Sequence, residues 1–238
     1  MRALAWDGYR NVRDLGGLPT PLSPSGTTRP GRVARGPRRE LLTATGRQEA
    51  VAWGLRTVID LRNPDERGPR TGDPEAAGAP WTGVTVVHAP TEDPTHAGFM
   101  ETCGPILDSP AYWSHNARLL PDLVRTTLLA VANAQPGVLI HCSAGRDRTG
   151  LVSTLLLAHA GVAPEDVAED WALSVRAMAG RGFHPDDRQS SWDEAQVDAF
   201  LAENVPLVEE TAADVSRVLD VVGLDDDARE RLRDLLVA

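Results

Sequence analysis

The stretch Gly137-Val138-Leu139-Ile140-His141-Cys142-Ser143-Ala144-Gly145-Arg146-Asp147-Arg148-Thr149-Gly150 joins a short apolar run to a cysteine, five further residues and an arginine. The apolar run predicts a buried strand, and the apolar residues 151–157 predict a buried helix. The loop between them ends at the helix N-terminus, where unpaired backbone N–H groups and the helix dipole attract an anion. The stretch therefore predicts an anion-binding loop in an α/β protein.

Cys142 and Arg148 lie at the two ends of this loop. A positive environment favours the thiolate, which is the nucleophilic form of cysteine. The planar guanidinium of Arg148 matches two oxygens of a phosphoryl group. The spacing therefore predicts attack of a thiolate on a bound phosphomonoester, with a thiophosphate intermediate that divides the reaction into two steps.

The residues between the cysteine and the arginine are expected to hold the phosphate. The N–H groups of Ser143, Ala144, Gly145 and Arg146 are predicted to surround its oxygens, and glycine allows the backbone to approach closely. Thr149 is expected to hydrogen-bond the thiolate and so make it a better leaving group in the second step. We expect His141 to orient the loop from the end of the strand.

The composition is that of an ordinary globular protein of 238 residues with 42% hydrophobic residues, and it predicts a single domain over residues 1–238. No apolar run is long enough for a membrane span, and an acid at Asp7 interrupts any signal-peptide pattern. Two cysteines, Cys103 and Cys142, exclude a disulfide scaffold. A cytoplasmic location is expected, with no cofactor and no metal. Cys103 is either an incidental thiol or a partner that protects Cys142 by a reversible disulfide.

The formal charge of −10 argues against a general nucleic-acid-binding protein. Residues 1–70 carry 13 arginines and 7 acids, whereas residues 71–238 carry 11 arginines and 27 acids, so the two parts have net charges of +6 and −16. The basic part either attracts an anionic substrate or is a solvated surface. All 24 basic residues are arginine, a bias typical of a GC-rich bacterial genome.

Strands and helices alternate along most of the chain, which predicts an α/β fold with a mostly parallel sheet flanked by helices. Strands are expected at residues 32–35, 57–61, 84–88 and 137–141, and a polar connection is expected from 91 to 110. Helices are predicted at 45–54, 110–133, 148–159 and 164–179. After a break at 180–187, the predicted helices are 192–203, 206–222 and 228–236. The helical part from about 164 to 238 exceeds what the sheet requires and is a candidate lid over the site.

Three segments resemble the atypical bacterial group of the protein tyrosine phosphatase superfamily, which includes tyrosine/lipid dual-specificity members. They are the cysteine loop itself, Asn11-Val12-Arg13-Asp14-Leu15-Gly16-Gly17, and the strand Arg56–Arg62 with Glu66 just beyond it. Trp171-Ala172-Leu173-Ser174 adds a shorter match. The resemblance spans residues 11–175 and implies a phosphatase-like fold and hydrolysis of phosphotyrosine. Arg146 stands where this group usually has the lysine that is associated with phosphoinositide substrates.

The proton for the leaving oxygen has two candidate donors in the sequence. The resemblance makes Asp147 the first candidate, because a carboxyl group beside bound phosphate tends to hold its proton. Its alternative role is to pair with Arg13 or Arg62 and hold the loop. Asp93, in the loop after a predicted strand, is the second candidate, although aspartate at such a position commonly forms a turn.

Four charged residues outside the loop are predicted to contact substrate or to fix the loop by ion pairs. Asp60 and Arg62 follow a predicted parallel strand, at the edge of the sheet where ligands bind. Asp14 and Arg13 have the same two interpretations. The predicted catalytic residues are Cys142, Arg148 and Asp147, and the predicted substrate-binding residues are Ser143, Ala144, Gly145, Arg146, Thr149, Arg62, Asp60, Arg13 and Asp14.

Protein phosphotyrosine is the first substrate prediction. A phosphoinositide or a small phosphorylated metabolite is the alternative, favoured by Arg146 and the basic first third. A non-catalytic phosphate-binding module is a third possibility, but binding alone has no need of the thiol. The expected partners are therefore phosphorylated proteins, phospholipids or small phosphorylated molecules, with no nucleic acid and no membrane insertion.

Overall fold

Five short strands form a single sheet at the centre of the molecule. In the computed structural model, which describes residues 2–180 and 191–238, the sheet order is β1-β2-β5-β3-β4. β1 runs antiparallel to β2, and every other neighbouring pair is parallel. The mostly parallel α/β fold predicted from the sequence is thus confirmed. The strands are β1 (Arg13–Asp14), β2 (Val33–Gly36), β3 (Thr57–Asp60), β4 (Thr85–His88) and β5 (Val138–His141).

Alternating side chains of the strands divide the apolar core between the two faces of the sheet, as the period-two geometry of a strand requires. Leu139 of β5 and Val58 of β3 pack in one cluster with residues of the first helix. Ile140 and Ile59, their sequence neighbours, pack in the other and larger cluster. All four side chains are buried, so the strand that leads to Cys142 is covered on both faces.

Helices follow the strands and cover both faces. They are α1 (Ala44–Trp53), α2 (Ala97–Cys103), α3 (Trp113–Leu119), α4 (Pro121–Ala132), α5 (Asp147–His159), α6 (Pro164–Met178), α7 (Glu194–Ala213), α8 (Val215–Val221) and α9 (Asp226–Val237). Most predicted helices are present with shifted ends. Helix α1 begins before the predicted residue 45, because the side chain of Thr43 caps it by accepting a hydrogen bond from the N–H of Gly46.

Two sequence predictions about regular structure were wrong. The predicted connection over residues 91–110 contains α2, whose N-terminus is capped by the ring of His96. Pro206 was expected to begin a helix, but it lies inside α7, and the break comes at Asp214 instead. Burial of the α7 face that includes Val208 and Leu201 outweighs the cost of the proline in the helix interior.

The three last helices lie against the larger apolar cluster. α7 packs mainly on α6, and α9 packs on α4 and α5. Apart from Gly180, the predicted break at 180–187 lies outside the described residues. The role of these helices as a lid over the site stays a prediction. No helix within the described ranges has the length and apolar composition needed to cross a membrane.

Candidate active site

The carboxyl ends of the four parallel strands lie side by side at one edge of the sheet. The register pairs Gly36 with His141, His141 with Asp60, and Asp60 with His88. The segments that leave these strand ends therefore meet at a single edge, where ligands bind in parallel sheets. The loop that begins at Cys142 follows β5, one of the two inner strands of the four, and the segments after β2 and β3 lie on either side of it.

The cysteine loop connects β5 to α5 as the sequence predicted. Cys142 directly follows β5 and is only 2% exposed, while Asp147 and Arg148 are the first two residues of α5. The first turn of a helix offers unpaired N–H groups and the positive end of its dipole. Two guanidinium groups lie near Cys142. Burial lowers the pKa of Arg35 to about 10, with Asp170 and Cys142 acting in the opposite direction, whereas Glu92, Glu66 and Cys142 keep the pKa of Arg148 raised despite its burial.

Hydrogen bonds from the scaffold hold the carbonyl groups of the loop. The side-chain amide of Asn11 donates to the carbonyl oxygens of Ala144 and Gly145, at 3.1 and 3.3 Å. Arg35 also donates to Gly145 at 3.0 Å, and the backbone N–H of Arg38 donates to Ser143 at 2.9 Å. In a trans peptide the N–H points away from the C=O. Tying these carbonyls to the scaffold therefore turns the next N–H groups toward the opposite side of the loop.

Gly145 is required at its position by both its backbone and its surroundings. Its φ angle is +75°, in the left-handed region that favours glycine. A Cβ atom at this position would lie 2.5 Å from the carbonyl carbon and oxygen of Gly36. The loop therefore packs directly on the end of β2, and no other residue fits at position 145.

A buried ion cluster around Asp170 supports the loop from below. The carboxylate of Asp170 accepts hydrogen bonds from Arg13 at 2.8 Å and from Arg35 at 2.7 Å, and it pairs with Arg2 as well. Burial alone would raise the pKa of Asp170, but Arg13 and Arg35 hold it well below its usual range. Arg13 also donates to Asn11 at 2.9 Å. Helix α6 is thereby connected, through Asn11 and Arg35, to the loop carbonyls.

A second buried cluster fixes the segment after β3. Arg62 donates to Asp60 at 2.8 Å and to Glu40 at 2.9 Å, and all three residues are at most 1% exposed. His141 lies beside this cluster, with 3.8 Å between its Nε2 and Oδ1 of Asp60. Its Nδ1 donates to the carbonyl oxygen of Cys142 at 2.9 Å, since a carbonyl can only accept. His141 thus orients the first residue of the loop.

Arg148 is held by Glu66 and lies near a second acidic side chain, Glu92, each from the segment after another strand. It makes a two-pronged pair with Glu66, which lies in a short helical turn after β3, and the Nη2–Oε1 distance is 2.6 Å. Its Nε lies 3.6 Å from Oε2 of Glu92, which follows β4. Burial would raise the pKa of Glu66, but the bonds and charge of Arg148 leave it lowered. The arginine is therefore presented in a fixed orientation.

A cleft opens next to Arg148 and carries both acidic and apolar residues. Asp147 lies at its edge and accepts two hydrogen bonds from Arg146, at 2.7 and 3.1 Å. The residues that line the cleft are Asn63, Asp65, Glu66, Glu92, Pro94, Phe99, Met100, Leu107, Asp147 and Arg148. Among the described residues, no group of histidines, cysteines and acids is arranged to hold a metal ion.

Residues 4–238 match the tyrosine phosphatase family. The chain belongs to this family. The match confirms the family relationship and the enzyme class predicted from the sequence. Members of the family are hydrolases, so phosphorylated molecules are the substrates that membership implies.

Two relatives of this phosphatase come from bacteria. One, from Cupriavidus necator and named as a candidate tyrosine-protein phosphatase, is 32% identical over 202 residues, which cover 76% of this chain and 70% of the relative. The other, a tyrosine-protein phosphatase of Nostoc commune, is 29% identical over 147 residues, which cover 62% of this chain and 49% of that protein. The chain thus spans about half the length of the second relative.

Four of the predicted site residues of the phosphatase are buried, and each of them makes ion pairs or hydrogen bonds within the protein. Asp60 and Arg62 bind each other, and Arg13 binds Asp170. Asp14 accepts from the N–H groups of Gly16 and Gly31, at 2.8 and 2.7 Å. These contacts favour the interpretation that the four residues fix the loop over direct contact with substrate.

The remaining predicted residues differ in where they lie. Asp147 pairs with the neighbouring Arg146, at 2.7 Å, rather than with Arg13 or Arg62. Asp93 is partly exposed, and its carboxylate accepts hydrogen bonds from the N–H and the hydroxyl of Thr95. Thr149 is fully buried, and its hydroxyl has no hydrogen-bond partner within residues 2–180 and 191–238.

Sequence reasoning missed Asp170, Arg35, Glu40 and Glu92. A signal existed for Asp170, because it lies among Val167, Trp171 and Ser174 on the buried face of an amphipathic helix. Arg35 stands inside a four-residue strand that is buried throughout. A charge on an otherwise apolar face indicates a buried ion pair, although the sequence does not identify the partner.

Proposed function

We propose that this phosphatase hydrolyses phosphomonoesters, most readily protein phosphotyrosine, with Cys142 as the nucleophile. One observation carries the proposal: the carbonyls of residues 143–145 are bound to the scaffold, so that the loop between Cys142 and Arg148 presents N–H groups to an anion. The names of the two bacterial relatives support the choice of phosphotyrosine. A reducing compartment such as the cytoplasm suits a reactive thiolate, and we propose that location.

In the first step the thiolate of Cys142 attacks phosphorus in line with the leaving oxygen. The P–O bond to that oxygen breaks as the S–P bond forms, and the leaving oxygen takes up a proton. The loop N–H groups and Arg148 bind the equatorial oxygens, where charge is spread in the transition state. In the second step water attacks the thiophosphate, and the thiolate leaves. The buried hydroxyl of Thr149 is proposed to stabilise that thiolate.

Asp147 and Asp93 are the proton donors proposed from the sequence. Asp147 lines the cleft next to Arg148, which supports its presence near bound phosphate. Asp93 is partly exposed, and the bonds from Thr95 lower the pKa of its carboxyl group. Asp147 is therefore the stronger of these two candidates.

The lining of the cleft suits an aromatic phosphate ester. Phe99, Met100 and Leu107 provide apolar contact for a phenyl ring. Several carboxylates share the same cleft and would repel the additional phosphates of a phosphoinositide. Arg146, the feature that favoured lipids, is 5% exposed and gives two hydrogen bonds to Asp147. We therefore place phosphotyrosine ahead of phosphoinositides and small phosphorylated metabolites.

Replacing the nucleophile tests the proposal directly. Cys142→Ser is expected to abolish turnover of an aryl phosphate while a phosphotyrosine peptide still binds, because the loop and Arg148 remain. Turnover and peptide binding are measured on both proteins, with Cys103→Ser as the matched control that keeps full activity. Turnover that survives in Cys142→Ser would exclude Cys142 as the nucleophile.

A panel of substrates separates the remaining alternatives. Phosphotyrosine peptides, phosphoserine peptides and phosphoinositides are compared by kcat/KM with the same preparation. The highest value is expected for phosphotyrosine. Binding of phosphate esters without turnover of any of them would instead indicate a phosphate-binding module.

A further inference from the structure

Glu92 is a buried carboxyl group in the cleft to which neither the sequence nor the proposed reaction assigns a role. It follows β4 at the same sheet edge as the cysteine loop, and it lines the cleft together with Asp147 and Arg148. Its side chain is only 12% exposed. The hydroxyl of Tyr112, which is itself buried, lies near Glu92. A carboxyl group so enclosed has little water to stabilise its charge.

The position of Glu92 relative to Arg148 differs from that of Glu66. Glu66 binds both terminal nitrogens of the guanidinium, whereas Glu92 lies 3.6 Å from Nε, beyond the distance of a good hydrogen bond. Phosphate oxygens held by Arg148 would come next to Glu92. Two full negative charges at that distance repel each other, so a bound phosphate favours a protonated Glu92.

The surroundings of Glu92 already favour its protonated form without a ligand. Burial raises the pKa of this carboxyl group, and the negative charges of Glu66 and Asp147 add to the effect. Arg148 and the Tyr112 hydroxyl lower this pKa, but burial outweighs them and the pKa stays raised. The raised pKa agrees with the enclosed position and the long distance to Nε. The position of Glu92 beside Arg148 and the direction of its pKa shift are those that a proton donor next to a bound phosphate ester requires.

We propose that Glu92 is the general acid that protonates the leaving oxygen, a role that rests on the proposed cysteine-dependent reaction. As the S–P bond forms and the P–O bond breaks, the carboxyl proton of Glu92 moves to the leaving oxygen, which departs as a phenol. Glu92 is then a carboxylate. In the second step it takes a proton from the attacking water as the O–P bond forms. Departure of the Cys142 thiolate restores the starting state with Glu92 protonated.

The other carboxyl groups of the cleft are engaged differently. Both oxygens of Asp147 accept from Arg146, and both oxygens of Glu66 accept from Arg148. Asp65 is exposed to solvent. Glu92 is the member of this group that combines burial with a place beside Arg148. Asp147 then acts on the reaction by orienting Arg146.

The test compares Glu92→Gln with the wild type on two aryl phosphates that differ in their leaving group. Phenyl phosphate needs a proton on its leaving oxygen, whereas 2,4-dinitrophenolate leaves readily without one. General acids contribute about 10²–10⁴-fold, so kcat/KM for phenyl phosphate is expected to fall by roughly 10²-fold or more. For 2,4-dinitrophenyl phosphate only a small loss is expected. The decrease of activity toward high pH is also expected to disappear in the variant.

Two control variants make the result specific. Glu101→Gln, which alters an exposed carboxylate on α2 outside the cleft, is expected to behave as the wild type with both substrates. Asp147→Asn is expected to lower kcat/KM by a similar factor for both aryl phosphates. An equal loss on the two substrates in Glu92→Gln would overturn the proposal and make Glu92 a positioning residue for Arg148. A loss confined to phenyl phosphate in Asp147→Asn would overturn it in favour of Asp147.

The experiment also separates this proposal from the proposed function. Cys142→Ser reports on the nucleophile with either substrate, whatever the proton donor is. Thermal unfolding of each variant, compared with that of the wild type, measures whether the variant is folded. If Glu92→Gln were unfolded, Glu92→Asp provides a second measurement, since a shorter acid should retain the pH dependence at reduced rate. An unchanged rate in Glu92→Asp combined with a lost pH dependence would contradict the role of proton donor.

Discussion

Single residues of the site gain their properties from burial and from a few fixed partners. His141 illustrates this, because its ring is fully buried and its Nε2 has no hydrogen-bond partner in the described ranges. Burial lowers its pKa to about 4, although the nearby Asp60 acts in the opposite direction. The folded protein therefore holds a neutral His141 that donates from Nδ1 to the carbonyl of Cys142.

The lowered pKa of His141 predicts a loss of stability in mild acid. An unfolded histidine takes up a proton near pH 6.5, whereas the folded one does so only near pH 4. Between these values the unfolded state binds more protons, so the free energy of unfolding falls as the pH is lowered through this window. Urea unfolding of the wild type and His141→Asn at a series of pH values measures the effect.

The difference between the two proteins isolates His141 from other histidines. His88 and His159 also have lowered pKa values, mainly because of burial, but they are present in both proteins. Asparagine keeps an N–H donor for Cys142. The stability difference between wild type and variant is expected to narrow as the pH falls toward 4. A constant difference across the window would show that His141 does not contribute.

Among single residues, the sequence predicted those whose role follows from their separation along a short stretch of chain. Cys142 and Arg148 are recognised because they are separated by five residues and bounded by apolar runs. Glu92 and Asp170 were missed because their environment depends on contacts with Arg148 and Arg35, which are distant in the sequence. A buried charge acquires its role from a partner that only the fold brings near.

At the scale of elements, strand β5, the loop and helix α5 form the unit that the sequence predicted best. Its apolar runs are continuous, and a glycine with positive φ separates them. β1 was missed because two residues, Arg13 and Asp14, give no periodic pattern. The loop also depends on α6, since Asp170 on that helix binds two arginines that reach the loop and its neighbour Asn11.

This dependence predicts that Asp170→Asn destabilises the protein and impairs the loop together. Loss of one partner in a buried ion pair costs about 3–5 kcal/mol, because the arginines keep their charge without compensation. The unfolding free energy is expected to fall by about that amount, and kcat/KM for an aryl phosphate should fall as Arg35 loses its anchor. Denaturant unfolding and steady-state kinetics measure the two effects.

The neighbouring Glu169 provides the control for Asp170. Its side chain is 61% exposed and pairs with Arg176 at 3.4 Å, so Glu169→Gln is expected to change stability very little. Both substitutions replace an acid by its amide on the same helix. Equal stability of the two variants would mean that the Asp170 cluster does not support the fold.

At the scale of the whole molecule, part of the positive charge of the first 70 residues is taken up by internal contacts. Five arginines of the first 70 residues are buried. Four of them bind acids from both parts of the chain, whereas Arg47 donates to the backbone carbonyl groups of Ala77 and Ala79. The buried ones are Arg13, Arg35, Arg38, Arg47 and Arg62. This changes the interpretation of the basic first third, because these guanidinium groups are unavailable for attracting substrate. The protein as a whole has a net charge of −10, and several carboxylates line its cleft.

The acidic cleft predicts a preference among phosphotyrosine peptides. A peptide with arginines beside the phosphotyrosine should have a higher kcat/KM than the same peptide with glutamates, because the opposite charge favours encounter and binding. Added salt should reduce the difference, since it screens exposed charges. Kinetics with the two peptides at low and high salt test this. A preference for the acidic peptide, or a difference that salt leaves unchanged, would contradict the prediction.

The Asp170 cluster also bears on how the chain acquires its structure during synthesis. Asp170 binds Arg13 across 157 positions of sequence and Arg35 across 135. Such distant partners meet only after much of the chain has been made, and closing long loops of chain slows folding. A nascent chain that ends before α6 would already carry Cys142 and Arg148 but would lack the anchor of the loop. Ordering of the phosphate loop is therefore expected to be a late event, reached only when α6 has joined the first strands.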